Sequence, residues 1–518
     1  MICMTRNNNQ QQGELHRQLW NMANDLRGQM DANEFKNYIL GIIFYRYLSE
    51  KVEERADTIL RNDDMTYREA WEVESIREPL THSLIDQRGY TIKPEYLFST
   101  MIEEIEKGES GNFDVELLIR AINDLSESTL GQDSQEAFEN LFDDMDLSST
   151  KLGRSVKDRS RLMAKILVNV NKIPFVQDDV EIDILGDAYE YLIGKFAASA
   201  GKKAGEFYTP QEVSTILAKI VTLGKDEIRD VYDPTCGSGS LLLRVNREAK
   251  VGKFYGQELN STTYNLARMN MLLHEVHHSR FHFKNDDTIE APKHMGMEFD
   301  AVVANPPYSS KWSSDKKFEQ DERFSGYGRL VPKSRADYVF VQHMIHHLSD
   351  SGTMAVVLPH GVLFRGGAEE GVRKHLIRDK NYLDAIIGLP ENLFYGTGIP
   401  TTILVYKKCR KEDESILFID ASKGFEKVRN QNILRKEDID KIVETYANRE
   451  EIDKYSHNAT LEEIEENDYN LNIPRYVDTF EPEPPVDIDA VRTRIEDIDK
   501  ELAEVDEEIG RYLKELGI

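Results

Sequence analysis

Apolar residues along this chain follow three successive patterns. From about Leu15 to Lys165 they recur every three or four positions, as in Phe35, Tyr38, Ile39, Ile42 and Tyr45, which predicts helices with a packed stripe. Asp31-Ala32-Asn33-Glu34 stands before that stripe in the order of a capping box, with Asp31 accepting from a first-turn amide and Glu34 reaching back. Between about Leu167 and Lys408 short apolar runs alternate with helical stretches instead. The runs are Asp230–Tyr232, Phe254–Gly256, Arg280–Phe283, Ala301–Val303, Ala355–Leu358, Ala385–Ile387 and Ile403–Tyr406. Strands alternating with helices predict an α/β fold with a mostly parallel, doubly wound, Rossmann-like sheet. Past Lys408 the chain turns polar and charged, and Glu481-Pro482-Glu483-Pro484-Pro485 reads as a linker. Beyond it Ile488, Val491, Ile495, Ile498, Leu502, Val505, Ile509, Tyr512 and Leu516 step alternately by three and four. Such a heptad seam is expected to pack on a partner helix, the alternative being a helix lying on its own domain. The expected regions are a helical one at 1–165, a catalytic sheet at 166–425 and a partner-binding one at 426–518.

Doubly wound sheets bind ligands at the carboxyl ends of their strands, and three such ends carry matching chemistry. The first is Asp233-Pro234-Thr235-Cys236-Gly237-Ser238-Gly239, a Gly-rich turn leading into the helical Ser240–Val245, where backbone can approach a cofactor closely. A G-x-G fragment alone is a weak signal. The second strand ends at Glu258, an acid about 20 residues beyond the glycines, the spacing that suits ribose hydroxyls. The third ends at Asn285-Asp286-Asp287-Thr288, where a carboxylate can accept from an adenine amino group. Ahead of the first strand lies Gly205-Glu206-Phe207-Tyr208-Thr209-Pro210-Gln211. Thr209 is expected to cap a helix beginning with Pro210, leaving amides that suit a carboxylate. NAD is the competing ligand, but no complete G-x-G-x-x-G and no hydride-transfer apparatus accompany these residues.

Asn305-Pro306-Pro307-Tyr308 follows the apolar run Phe299–Ala304 directly, placing an amide oxygen, a rigid corner and an aromatic face at a strand end. An exocyclic amine on adenine is a poor nucleophile, because its lone pair is delocalised into the ring. The Asn305 side-chain oxygen and the Pro306 carbonyl can each accept one amino hydrogen and turn the lone pair towards a sulfonium methyl. In-line displacement then gains most from orientation and electrostatics, with neither metal nor covalent nucleophile. Tyr308 is expected to stack on a base extruded from the duplex, worth roughly 1–3 kcal/mol against the few that unstacking costs. Cytosine C5 is disfavoured for want of a Pro-Cys nucleophile; cytosine N4, a protein glutamine amide and a non-catalytic cofactor-binding scaffold remain as alternatives.

Charge sharpens the problem. The 518 residues hold 65 Lys+Arg against 93 Asp+Glu, a formal net charge of −28, so any grip on DNA must be local or supplied by a partner. The three cysteines, Cys3, Cys236 and Cys409, have no paired spacing, which argues against a disulfide framework or a Cys-based zinc site. No apolar stretch approaches the roughly 18 residues of a membrane span, and Met1–Gln12 lacks the plan of a signal peptide, so a cytoplasmic protein is expected. His274-Glu275-Val276-His277-His278 matches H-E-x-x-H, with His274 and His278 on one face of an apparent crossover helix. No third ligand is identifiable, and His343, His346 and His347 read as another helix surface, so no metal is expected.

With these residues in place, the chain resembles the modification subunits of type I restriction-modification systems, gamma-order adenine-N6 DNA methyltransferases. The matching segments are Glu206–Gln211, Asp233–Ser240, Glu258, Asp287-Thr288 and Asn305–Tyr308. Ala336–Phe340, Leu358–Phe364 and Gly388-Leu389-Pro390 are also similar, and Leu19–Gly28 looks like the family's helical N-terminal domain. The resemblance implies S-adenosylmethionine as methyl donor, held by Glu206, Phe207, Tyr208, Thr209, Pro210, Gln211, Asp233, Thr235, Gly237, Ser238, Gly239, Ser240 and Glu258. Asp287 would meet the cofactor's adenine, with Asp286 the neighbouring alternative, and Asn305, Pro306, Pro307 and Tyr308 would be catalytic. It also implies double-stranded DNA with a flipped adenine and a separate specificity subunit serving two modification subunits. A motor-nuclease subunit joins in restriction.

Overall fold

The computed structural model describes residues 32–107, 113–173, 186, 189–194, 209–394, 397–411, 414–428, 431–479 and 488–517. Asp31 of the expected capping box, the Leu19–Gly28 run and the Pro-rich linker lie outside them. The chain forms two units, dividing after Val477.

The first unit opens with the helix Ala32–Leu60, whose Phe35, Tyr38, Ile39, Ile42 and Tyr45 are all buried. Leu40, Ile43 and Phe44 are buried too, so helices pack around it rather than on one stripe. A capping box does occur one turn of chain later: Thr66 and Glu69 cap Tyr67–Glu72 reciprocally. Arg46, buried, donates to the carbonyls of Val170 and Ile173 at 2.6 and 2.9 Å, closing the end of the helix Val156–Asn171.

The sheet comprises β1 (Glu227–Asp233), β2 (Lys250–Glu258), β3 (Phe281–Asn285), β4 (Phe299–Ala304), β5 (Leu348–Pro359), β6 (Leu383–Gly388), β7 (Thr401–Lys407), β8 (Ile416–Asp420) and β11 (Ser456–Ala459). Their order is β11-β8-β6-β7-β5-β4-β1-β2-β3, while β9 (Glu426–Val428) and β10 (Gln431–Ile433) form a separate hairpin. Six of the seven expected runs lie wholly in strands; in Arg280–Phe283 the strand begins at Phe281, with Arg280 in the turn His278–Arg280. β7 runs antiparallel between β5 and β6, and β11 antiparallel to β8. Strand pairing thus continues past residue 425, to a sheet edge supplied by Ser456–Ala459.

Alternate strand residues face opposite layers. Ala301 and Val303 join a core shared with the helical region, while Val302 and Ala304 join one built on the helix Asp337–His346. The crossover helix Ser261–Leu273 docks the helical region, with Arg268 donating to the carbonyls of Glu136 and Glu139 and Tyr47 donating to that of Leu272. The chain order reverses between β1 and its parallel neighbour β4, and the crevice at such a reversal is where these sheets take ligands.

The second unit is one helix, Ile488–Glu515. Every seam position from Ile488 to Leu516 is exposed, for example Leu502 at 57%. Among the described residues no helix is long and apolar enough to cross a membrane.

Gly256 in β2 sets the depth of the crevice floor. A Cβ there would lie 2.9 Å from Cys236 Sγ and 3.0 Å from Phe283 Cδ1. Gly256→Ala is expected to destabilise by about 1–3 kcal/mol, read from denaturant midpoints, as Cys236 and Phe283 shift apart.

Candidate active site

β1 and β4 are paired through Val231–Ala301 and Tyr232–Val302, so Asp233 and Asn305 emerge from adjacent strands on the same sheet edge. The two segments that the chemistry requires together are therefore neighbours. The turn after β1 needs left-handed backbone at Gly237 (φ 53°) and Gly239 (φ 77°), conformations that glycine adopts without a Cβ penalty. Asn270 of the crossover helix, fully buried, donates to the Ser238 carbonyl at 3.0 Å and fixes the turn from below. Ser238 and Ser240 hydroxyls are 2.9 Å apart, and Gly239 caps the helix Ser240–Glu248.

Glu258 closes the second side. Its carboxylate accepts from the amides of Gly237 at 3.0 Å and Asn260 at 2.8 Å, which aims it along the turn. Burial raises its pKa, opposed by those amide hydrogen bonds. Asp233, beneath the turn, accepts from the Thr235 amide at 2.9 Å. Burial pushes its pKa up to about 7, with the Thr235 hydrogen bonds pulling it back and the Glu258 charge adding to the rise. At the end of β3 the two aspartates differ. Asp286 pairs with Lys293 at 2.7 Å, whereas Asp287 accepts from the amides of Ile289 and Glu290 at 2.8 and 3.0 Å, capping the turn that follows. Gln257 ties that turn to β2, donating to the carbonyls of Asp286 and Ala291 and accepting from the Lys293 amide.

At the end of β4 the Asn305 amide nitrogen donates to the Thr209 hydroxyl at 3.1 Å. Thr209 therefore orients Asn305 instead of capping the helix Gln211–Val221, which has Pro210 at its N-cap and no side-chain cap. With its nitrogen so engaged, the Asn305 Oδ1 is buried and has no hydrogen-bond partner among the described residues. Tyr308 is half-buried, its hydroxyl likewise buried and without a partner among the described residues, its ring edge-on to Phe394 with centroids 6.0 Å apart. Burial holds its phenol protonated. Buried Asp337 accepts from the Ser309 amide at 2.7 Å and from Arg365 at 2.7 Å, fixing the exit of the Asn305–Tyr308 turn.

Of the expected residues, the structure brings Asp233, Thr235, Gly237, Ser238, Gly239, Ser240, Glu258, Asp287, Asn305, Pro306, Pro307 and Tyr308 to one edge, with Thr209, Pro210 and Gln211 joined to it through Asn305. Glu206, Phe207 and Tyr208 lie outside the described residues. Asn270, Gln257 and Asp337 act as supports that motif reading missed; a polar residue fully buried in a crossover helix was the only available signal for the first.

The H-E-x-x-H reading loses its premise. The crossover helix ends at Leu273, Glu275 is left-handed (φ 56°), and His278–Arg280 is a separate turn, so His274 and His278 share no helix face. His343 and His347 are buried, not on a surface. His343 lies 2.9 Å from the Tyr232 hydroxyl and accepts from Arg323 at 3.1 Å, and burial keeps it neutral.

Residues 180–484 match the N-6 DNA methylase family, and residues 15–170 match the HsdM N-terminal domain. The chain belongs to the N-6 DNA methylase family. The type I restriction enzyme MpnII methylase subunit of Mycoplasma pneumoniae is 38% identical over 96% of this methylase and 95% of its own length. The MjaVII methylase subunit of Methanocaldococcus jannaschii is 34% identical over 69% and 63%. The type I restriction-modification methyltransferase subunit of Streptococcus thermophilus superposes with a TM-score of 0.83 at 42% identity, covering 90% of this methylase and 99% of that chain. The reaction is therefore methyl transfer to adenine N6 in DNA.

Asp233 gives the methylase a pH signature. Its folded-state pKa lies above the ordinary ~3.9, so its stabilising contribution is complete below about pH 4 and is lost as pH rises towards 7. Asp233→Asn should therefore gain stability relative to the wild type across that window, by a few kcal/mol at about 1.4 kcal/mol per pKa unit. Urea midpoints at pH 5 and pH 8 measure it.

Proposed function

We propose that this methylase is the modification subunit of a type I restriction-modification complex, and that its crevice between β1 and β4 is where adenine is methylated. The observation that carries the assignment is Asn305: its nitrogen is anchored on Thr209, and among the described residues its buried oxygen is left as an unused acceptor. A buried acceptor without a partner costs about 1–3 kcal/mol, which an adenine N6 hydrogen would offset. The residues present also fit S-adenosylmethionine: left-handed glycines for close approach, Glu258 for ribose hydroxyls and Asp287 for an adenine edge. Bound there, the cofactor supplies a methyl group activated on sulfonium.

The chain's own groups do the rest. Asn305 Oδ1 and the Pro306 carbonyl accept the two N6 hydrogens and turn the nitrogen lone pair towards the methyl. With the cofactor's methyl in line, N6 would take that methyl in place of one hydrogen, the C–S electron pair staying on the cofactor's sulfur and the displaced proton passing to solvent water. Pro307 stiffens the corner, and Tyr308 offers a face to the extruded base. Because Asp337 fixes Ser309, the cradle is preorganised and gains from orientation rather than from acid–base chemistry.

The complex supplies what an acidic chain lacks. A specificity subunit, serving two such methylases, selects the DNA site, and a motor-nuclease subunit joins for restriction. In this division of labour the unit ending at Val477, whose sheet extends through Ser456–Ala459, transfers the methyl group, and the helix Ile488–Glu515 reaches the specificity subunit through its exposed seam.

Labelled methyl transfer from S-adenosylmethionine to DNA, with and without the specificity subunit, tests the reading. Asn305→Ala should lower turnover on the order of 10²–10³-fold, the loss typical of one preorganised electrostatic contact, while cofactor affinity stays unchanged. Thr209→Val should lie between, since its Asn305 amide is free to flip. Undiminished methylation by Asn305→Ala refutes the assignment. Truncation after Val477 should retain cofactor binding and lose co-purification with the specificity subunit; retained co-purification would place that contact elsewhere.

A further inference from the structure

The segment Ser309–Ala336, which leaves the active-site turn and returns to the helix Asp337–His346, has seven Lys or Arg against four Asp or Glu, the reverse of the chain's balance. Its two arms are strapped together. The Ala336 amide donates to the Ser310 carbonyl at 2.9 Å, and the Trp312 amide to the Lys333 carbonyl at 3.0 Å. The Trp312 indole also donates to the Pro332 carbonyl at 3.2 Å. Trp312 packs on Phe318 and Phe324, both buried, so the excursion has a core of its own.

This strapping sets Lys311 across from Lys333 and Arg335. All three are exposed, and none forms an ion pair among the described residues. By contrast Lys317 and Arg323 of the same segment are paired, with Glu290 and Asp321. Three like charges on one short stem repel each other, and a chain with 28 surplus negative charges had many carboxylates with which to neutralise them. The stem begins at Ser309, which Asp337 holds beside Tyr308. Ser310 is two residues from Tyr308, within about 7 Å of chain.

We propose that Lys311, Lys333 and Arg335 form a phosphate-binding strip that grips the DNA backbone beside the extruded adenine. An extruded nucleotide stays covalently attached to its strand, so its flanking phosphates necessarily reach the mouth of the crevice. Cations there fix the strand's register without reading sequence, which leaves site choice to the specificity subunit. This inference rests on the DNA-methylation reading above.

The test uses the full complex with its specificity subunit, carrying Lys311→Gln, Lys333→Gln and Arg335→Gln together. DNA dissociation constants are measured by anisotropy over a salt series, alongside cofactor affinity, complex assembly and methyl transfer at saturating DNA. The slope of log affinity against log salt should become shallower by about 2–3, close to 0.9 per lost phosphate contact, with affinity weakened on the order of 10²-fold near ~0.1 M salt. Cofactor affinity and assembly should be unchanged, and Lys311→Arg, Lys333→Arg and Arg335→Lys should together preserve the wild-type slope. An unchanged slope overturns the strip; so does failed assembly, which would make it a protein-contact surface. If the wild-type complex itself transfers no methyl group to DNA, the functional reading fails first.

Discussion

An asparagine amide has two nearly isosteric ends with opposite hydrogen-bonding character, and catalysis at an amino group requires the oxygen end to face the substrate. Thr209 resolves that ambiguity by engaging the Asn305 nitrogen. The oxygen is then held away from water with no partner among the described residues, so its orientation is set in advance by the Thr209 contact. Much of the surrounding structure serves this one constraint. The β1–β4 pairing brings the strand ends together, Asp337 restrains the exit of the turn, and Asn270 and Gln257 hold the loops on the opposite side of the crevice.

Those supports come from elements far apart in the chain, which explains what the sequence did and did not disclose. The central strands were legible because a strand buried on both faces reads as a continuous apolar run, as in Ala301–Val303. β11 was not, because Ser456-His457-Asn458-Ala459 is an edge strand with polar side chains and no hydrophobic alternation. The antiparallel course of β7 was equally hidden, since its run Ile403–Tyr406 looks like its parallel neighbours. Direction depends on how the preceding connection crosses the sheet, which periodicity does not encode.

The site shows the same division. The placement of the glycines, the acids and the Asn305–Tyr308 tetrad on one sheet edge was legible because each directly follows an apolar strand run. Thr209 was assigned a local role as a cap, when its partner lies 96 positions away. Local reasoning also extended the crossover helix through His274–His278, but the left-handed Glu275 ends it. His343 was read as surface because helical histidines usually are; the Tyr232 hydroxyl and Arg323 instead give it a fully bonded place in the core.

The terminal helix Ile488–Glu515 leaves eight apolar seam positions exposed, and Leu516 just beyond it makes a ninth. Hydrating that stripe costs free energy that burial against a complementary apolar face would offset. A copy of the chain left without such a face keeps an adhesive flank in contact with solvent, a starting point for self-association.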